Sequence, residues 1–162
     1  MKIAMKGIYH ERTEDAPFIG ALICADNCYF NCSDCCNHEL KCSLSYVLED
    51  YDIIKEVLSN KFNKGIILGG LEWTLQCNEM LVLIDLALEN KLQVILYTGM
   101  DKEELFENFP ELKNIDIYIK CGKYAKQLHT DNYKMFNVKL ASSNQKIIKI
   151  KGEIYERNKC LC

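Results

Sequence analysis

No apolar run in this chain approaches the ~20 residues that a membrane-crossing helix needs, which argues against a spanning protein. Positive charge is short as well. Twenty Lys and Arg stand against 23 Asp and Glu, for a formal charge of −3, the wrong sign for a general nucleic-acid binder, whose phosphate contacts demand a basic surface. Lys134, Lys139, Lys146, Lys149 and Lys151 gather late in the chain and read as a solvated face. No Ser-His-Asp set and no paired-carboxylate constellation stands out, so hydrolytic chemistry has no visible carrier. The three histidines, His10, His38 and His129, are scattered and read as surface or local hydrogen-bonding residues; only His38 lies close in sequence to the cysteine-rich stretch. No signal peptide opens the sequence, so reduced thiols and a cytoplasmic location are expected. Repeats and low-complexity segments are absent too.

Cysteine, by contrast, is abundant. Ten in 162 residues is an excess that points to metal or redox work. Cys24, Cys28, Cys32, Cys35 and Cys36 crowd into one short stretch, and Cys28, Cys32 and Cys35 give the spacing C-x3-C-x2-C. Three thiolates on one loop can hold three corners of a [4Fe-4S] cubane and leave the fourth iron open. An open iron can chelate the amine and carboxylate of S-adenosylmethionine and deliver an electron into its sulfonium. A structural zinc site is the competing reading, but zinc ribbons show two separated C-x2-C pairs and only Cys32/Cys35 forms one here. Cys24 and Cys36 are candidate substitute ligands, and Cys77 reads as packing on a helix. Cys42 and Cys121 have no assigned role, and residues 156–162 read as a flexible tail carrying Cys160 and Cys162.

The length suits one domain, residues 1–162. Residues 2–10 and 17–24 read as strands, the second running directly into the cysteine loop. A helix is predicted over 46–59, capped by Ser45, with Val47, Tyr51, Ile54 and Leu58 along one face. Gly65–Leu68 reads as a buried strand ending at Gly69-Gly70. Thr74 is the expected cap of a helix with Cys77, Leu81, Ile84 and Leu88 on one face. A strand comes next over Leu92–Tyr97, then a short helix with Asp101 and Glu104 as a capping box, stopped by Pro110. Further strands are expected over Ile115–Ile119 and Lys146–Tyr155. This alternation predicts an α/β fold with a mostly parallel sheet. A complete eight-stranded barrel takes ~250 residues, so the expected architecture is an open, partial (β/α) barrel with its site at the C-terminal strand ends. So short a chain is expected to carry no long lid loop.

Four stretches, taken together, resemble the anaerobic ribonucleotide reductase activating proteins, small members of the radical S-adenosylmethionine superfamily. They are Cys28-x3-Cys32-x2-Cys35 with the adjoining Cys36-Asn37-His38-Glu39, then Gly69-Gly70-Leu71-Glu72-Trp73, Leu96-Tyr97-Thr98-Gly99, and Ser142-Ser143-Asn144-Gln145. The resemblance spans residues 17–150. It departs from the family pattern where Cys36 replaces an aromatic residue, where Leu71 separates the paired glycines from the acid, and where Trp73 replaces a proline. It implies a [4Fe-4S] cluster on Cys28, Cys32 and Cys35, and S-adenosylmethionine contacts from Asn37, Gly69, Gly70, Glu72, Thr98 and Gly99, with no catalytic residue beyond the cluster. The implied activity is an oxidoreductase that generates a 5′-deoxyadenosyl radical and installs a glycyl radical on its partner. That partner is the glycyl-radical subunit of anaerobic ribonucleotide reductase, and flavodoxin or ferredoxin is the implied low-potential electron donor. Another radical S-adenosylmethionine enzyme acting on a peptide or small molecule, or a non-catalytic iron–sulfur or zinc protein, is the alternative.

Overall fold

The computed structural model describes residues 1–32 and 34–152. Strands β1 (Lys2–Arg12) and β2 (Gly20–Ala25) form where the apolar stretches predict them and pair antiparallel. The cysteine loop then leads through a single-turn helix α1 (His38–Cys42) to a short strand β3 (Tyr46–Glu49) and a helix α2 (Asp50–Ser59).

Here the structure corrects the sequence reading. Tyr46 to Glu49 does not begin a helix but pairs antiparallel with Lys2 to Met5 of β1. Aromatic and β-branched residues suit a strand, and pairing with β1 satisfies backbone groups that would otherwise need another partner. The buried face of α2 is Ile53, Ile54 and Val57, whereas Tyr51 and Leu58 are exposed. Ser45 is no helix cap, because its hydroxyl accepts from Lys6 Nζ (3.1 Å). Instead, the N-terminal ammonium of Met1 pairs with Asp50 (3.0 Å) at the start of α2.

Beyond α2 the chain alternates as expected through β4 (Gly65–Gly69), α3 (Cys77–Glu89), β5 (Gln93–Tyr97), α4 (Lys102–Asn108) and β6 (Tyr118–Cys121). Asp101 caps α4 by accepting from the Glu104 amide (2.9 Å), and the helix ends ahead of Pro110. The strand expected at Ile115–Ile119 forms three residues later, at 118–121. A 3-10 turn over Trp73–Gln76 precedes α3 and takes the place of a Thr74 cap, with the Glu72 side chain accepting from the Thr74 amide. α3 buries Met80, Leu83, Ile84 and Ala87, while Cys77, Leu81 and Leu88 are half-buried at the edge of that face, the two leucines still packing on the core. A small hairpin, β7 (Lys134–Met135) and β8 (Val138–Lys139), comes next, and then β9 (Lys146–Lys149). The remainder of the strand expected to reach Tyr155, and the tail with Cys160 and Cys162, lie outside the described residues.

Seven strands form one sheet in the order β3-β1-β2-β4-β5-β6-β9. The central four, β2, β4, β5 and β6, are parallel, and antiparallel strands flank them on both sides. The fold is therefore α/β with an open mixed sheet. Alternation along each strand divides the core into two layers. Ile66, Leu68, Val94 and Leu96 pack with the helices, around Ile54, Met80, Leu83 and Leu105. Ile67, Ile95 and Ile147 face the other way, against Phe18 and against Val138 and Leu140 from the hairpin region. Among the described residues no helix is long and apolar enough to cross a membrane.

Candidate functional site

All four parallel strands end on one side of the sheet, and the segments leaving them converge on a cavity of about 410 Å³. β2 supplies the cysteine loop, β4 the glycine turn, β5 the Tyr97-Thr98-Gly99 exit, and β6 Lys120 with the segment after it. Cys28, Cys32 and Cys35 all line this cavity and are half-buried. Gly70, Glu72, Thr98, Gly99 and Asn37 line it too. Of the expected cluster ligands and S-adenosylmethionine contacts, Gly69 alone is not part of the wall; it is the last residue of β4.

The turn after β4 is rigidly specified. Gly70 sits at φ +73° and the Leu71 amide donates back to the Gly69 carbonyl (2.8 Å), a γ-turn that a side chain would strain. A Cβ on Gly70 would also lie 2.5 Å from Cys24 Sγ. Leu71 and Trp73 turn inward, Trp73 being fully buried with its indole N–H donating to the Ile23 carbonyl (2.9 Å). Trp73, at the position where the resembled pattern has proline, thus anchors the turn to β2. Glu72 is also buried, and both of its oxygens are engaged: one accepts from the Thr74 hydroxyl (2.8 Å), the other from the Gly99 amide (2.9 Å). Its carboxylate ties the β4 exit to the β5 exit. Thr98 Oγ1 accepts from the Met100 amide (3.1 Å), shaping the β5 exit in the same local way.

Fewer bonds hold the cysteine loop. The Glu72 amide donates to the Asn27 carbonyl (2.9 Å), Lys41 Nζ to the Phe30 carbonyl (2.9 Å), and Asn37 Nδ2 to the Gly70 carbonyl. Gly99 lets the Phe30 ring pass close by, since a Cβ there would lie 2.4 Å from the ring. A carbonyl has two lone pairs, so Gly70 can accept from Asn37 and still face a ligand.

Sequence reasoning missed the wall built by residues 122–145. Between β6 and β9 the chain makes a long excursion, so the expected absence of a lid loop does not hold: Lys123, Tyr124, His129 and Gln145 all reach the cavity. The Ser142 to Gln145 stretch stitches this excursion together. Gln145 Oε1 accepts from the Ala141 amide (3.0 Å) and its Nε2 donates to the Gly122 carbonyl (3.2 Å), while the Ser142 hydroxyl accepts from the Ala125 amide (3.3 Å). Lys126 then pairs with Asp34 (3.0 Å), joining the excursion to the cysteine loop. His129, and not His38, is the histidine at the cavity. His10 is occupied elsewhere, by Asn63 (2.8 Å) and Glu56 (3.3 Å). Lys120 is the one cavity cation that a strand supplies, and its ammonium lies over the Tyr97 ring at 4.5 Å.

The remaining cysteines separate by environment. Cys24 is buried beneath Gly70 outside the first cavity, and burial pushes its thiol up to about 11, as burial also raises that of Cys28. Cys36 is exposed and lines the cavity; it also lines a second hollow on the β1 side, together with Asn37, Gly70 and Cys24. Cys121 is buried in β6 and its thiol is likewise raised by burial. Cys77 is half-buried and Cys42 exposed, and neither reaches the cavity.

Among the described residues no three His, Cys, Asp or Glu side chains meet at a point that would hold a single metal ion. A cubane asks for something else: each thiolate binds its own iron at a separate corner, so the cysteines need to face one space rather than one point. Three half-buried thiols around a cavity of this size meet that demand, and the volume falls in the ordinary range for small-molecule sites. A family model described as "4Fe-4S single cluster domain" matches residues 19–148. No curated protein matches the chain.

Proposed function

Because the chain belongs to the 4Fe-4S single cluster domain family, we propose that it is a radical S-adenosylmethionine activating enzyme whose cluster is held by Cys28, Cys32 and Cys35. The observation that carries this reading is the shared cavity: the three thiols, the Gly70 turn and the Thr98-Gly99 exit enclose one space large enough for a cluster and a nucleoside-sized ligand. On this reading the open sheet is a partial (β/α) barrel of the radical S-adenosylmethionine type, with the cavity at its C-terminal rim. When bound, the cluster supplies an electron that splits S-adenosylmethionine into methionine and a 5′-deoxyadenosyl radical, which takes a hydrogen atom from a glycine of the partner.

The chain's own residues bind, orient and shield. The Gly70 carbonyl is presented at the cavity wall by a turn that only glycine fits, and it is the acceptor for a ligand ammonium. Asn37 fixes the cysteine loop to that turn, so the cluster and the acceptor keep one spacing. Glu72 lines the cavity and holds the Gly99 amide through Oε2, which keeps a second lone pair for a ligand. Phe30, Tyr97 and Tyr124 supply aromatic wall, which keeps water from the reacting carbon. No general acid or base enters. The partner on this reading is the glycyl-radical subunit of anaerobic ribonucleotide reductase, and flavodoxin or ferredoxin is the electron donor.

The test is anaerobic reconstitution and then incubation with S-adenosylmethionine and a strong reductant. The reading expects 5′-deoxyadenosine, formed slowly by the chain alone and faster with the glycyl-radical subunit present. Reconstituted protein that forms no deoxyadenosine on chromatography returns it to a non-catalytic iron–sulfur role.

A further inference from the structure

Lys120 is the one half-buried cation of the cavity wall, and neither cluster ligation nor S-adenosylmethionine binding has called on it. It lies on β6, the last of the four parallel strands, and lines the cavity with the three ligand cysteines and Cys36. Among the described residues its ammonium has no hydrogen-bond acceptor and no ion-pair partner; the Tyr97 ring face, 4.5 Å from Nζ, is its contact. Burial pushes its pKa down, while Cys36 and Asp15 favour its charged form.

The other charges at the cavity are already answered or screened. Asp34 is paired with Lys126 (3.0 Å), and the Glu72 oxygens accept from Thr74 and Gly99. His129 is exposed and faces Asp131 (3.7 Å). Lys123 is exposed to solvent, with its ammonium 5.7 Å from the Phe30 ring centre. Water around an exposed ammonium weakens its field about fourfold relative to a site of effective dielectric ~20. Lys120 is therefore the cation whose charge is felt most inside the cavity.

We propose that Lys120 raises the reduction potential of the cluster held by Cys28, Cys32 and Cys35. A cubane on three thiolates gains a further negative charge when it accepts an electron, and cluster potentials respond to net charge and to solvent exposure. A fixed, poorly solvated positive charge on the same cavity stabilises the reduced state more than the oxidised one. Reduction by a donor becomes easier, at the expense of some of the driving force for splitting a sulfonium. The inference rests on the assignment of the cluster to these three cysteines.

The experiment is a redox titration of reconstituted protein, without S-adenosylmethionine, monitored by the electron-spin-resonance signal of the reduced cluster. One electron passes from dithionite to the cluster, and no bond is made or broken. Lys120→Met is expected to shift the midpoint to lower potential, while Lys120→Arg, which keeps the charge, and Lys123→Met, which removes a screened one, stay near wild type. A wild-type midpoint in Lys120→Met, or an equal shift in Lys123→Met, overturns the proposal. If Lys120→Met and Lys120→Gln remain folded but take up no iron, uptake in Lys120→Arg supports the need for charge, and failure in Lys120→Arg as well overturns it. Iron analysis of the wild-type chain separates the two readings. Absence of four irons removes the cluster assignment, whereas four irons with an unmoved midpoint removes only the role of Lys120.

Discussion

Two neighbouring segments of the cavity rim are built on opposite principles. The turn after β4 is finished without any ligand: Gly70 is locked by its backbone, Glu72 by its neighbours, and Trp73 by complete burial. The cysteine loop after β2 is half-exposed and reaches the rest of the chain through a few contacts, chiefly those of Asn27, Phe30 and Asn37. The contrast teaches a division of labour. The β4 turn is scaffold, whose changes cost folding energy, while on the proposed reading the cysteine loop holds the cluster, and its changes cost metal.

The largest expected effect breaks this division on the metal side. Cys32→Ala is expected to abolish cluster uptake while the apoprotein keeps its stability within about 1 kcal/mol, and Cys77→Ala is expected to retain full iron. Iron content and thermal melting of both variants check this, and equal iron loss in both would sink the ligand assignment. On the scaffold side, Trp73→Ala removes a fully buried aromatic and its hydrogen bond to Ile23, and about 3–5 kcal/mol of stability is expected to go with it. Denaturant unfolding of the apoprotein measures that loss. Gly70→Ala is expected to cost about 1–3 kcal/mol, from a left-handed backbone and from the approach to Cys24. The smallest effect is at the contact that ties the loop to the late excursion. Lys126→Ala breaks an exposed ion pair with Asp34, worth about 0–1 kcal/mol, and a melting curve close to wild type is expected.

The same contrast explains what is legible in the sequence. Continuous apolar runs at Gly65–Leu68 and Leu92–Tyr97 belong to parallel strands covered on both faces, and such strands announce themselves. The three cysteines and Gly70 are readable because the proposed cluster ligation and a left-handed turn each demand a particular residue type. Tyr46 to Glu49 misleads because an exposed edge strand has no buried face to mark its period, and Val47 and Tyr51 happen to match a helical spacing. Glu72 is legible as a residue of the cavity, but its bond to the Gly99 amide is set by tertiary structure. Lys120 and His129 are invisible as cavity residues for the same reason: one depends on the order of strands in the sheet, the other on where a 24-residue excursion (122–145) returns.

Hydrogen exchange of the apoprotein against the reconstituted protein tests the central claim most directly, because it reports where in the chain the cluster is held. Cluster uptake is expected to slow exchange across residues 28–37 and to leave residues 69–73, already fixed, nearly unchanged. Iron bound with no added protection at 28–37 would contradict the account and place the ligands elsewhere in the chain.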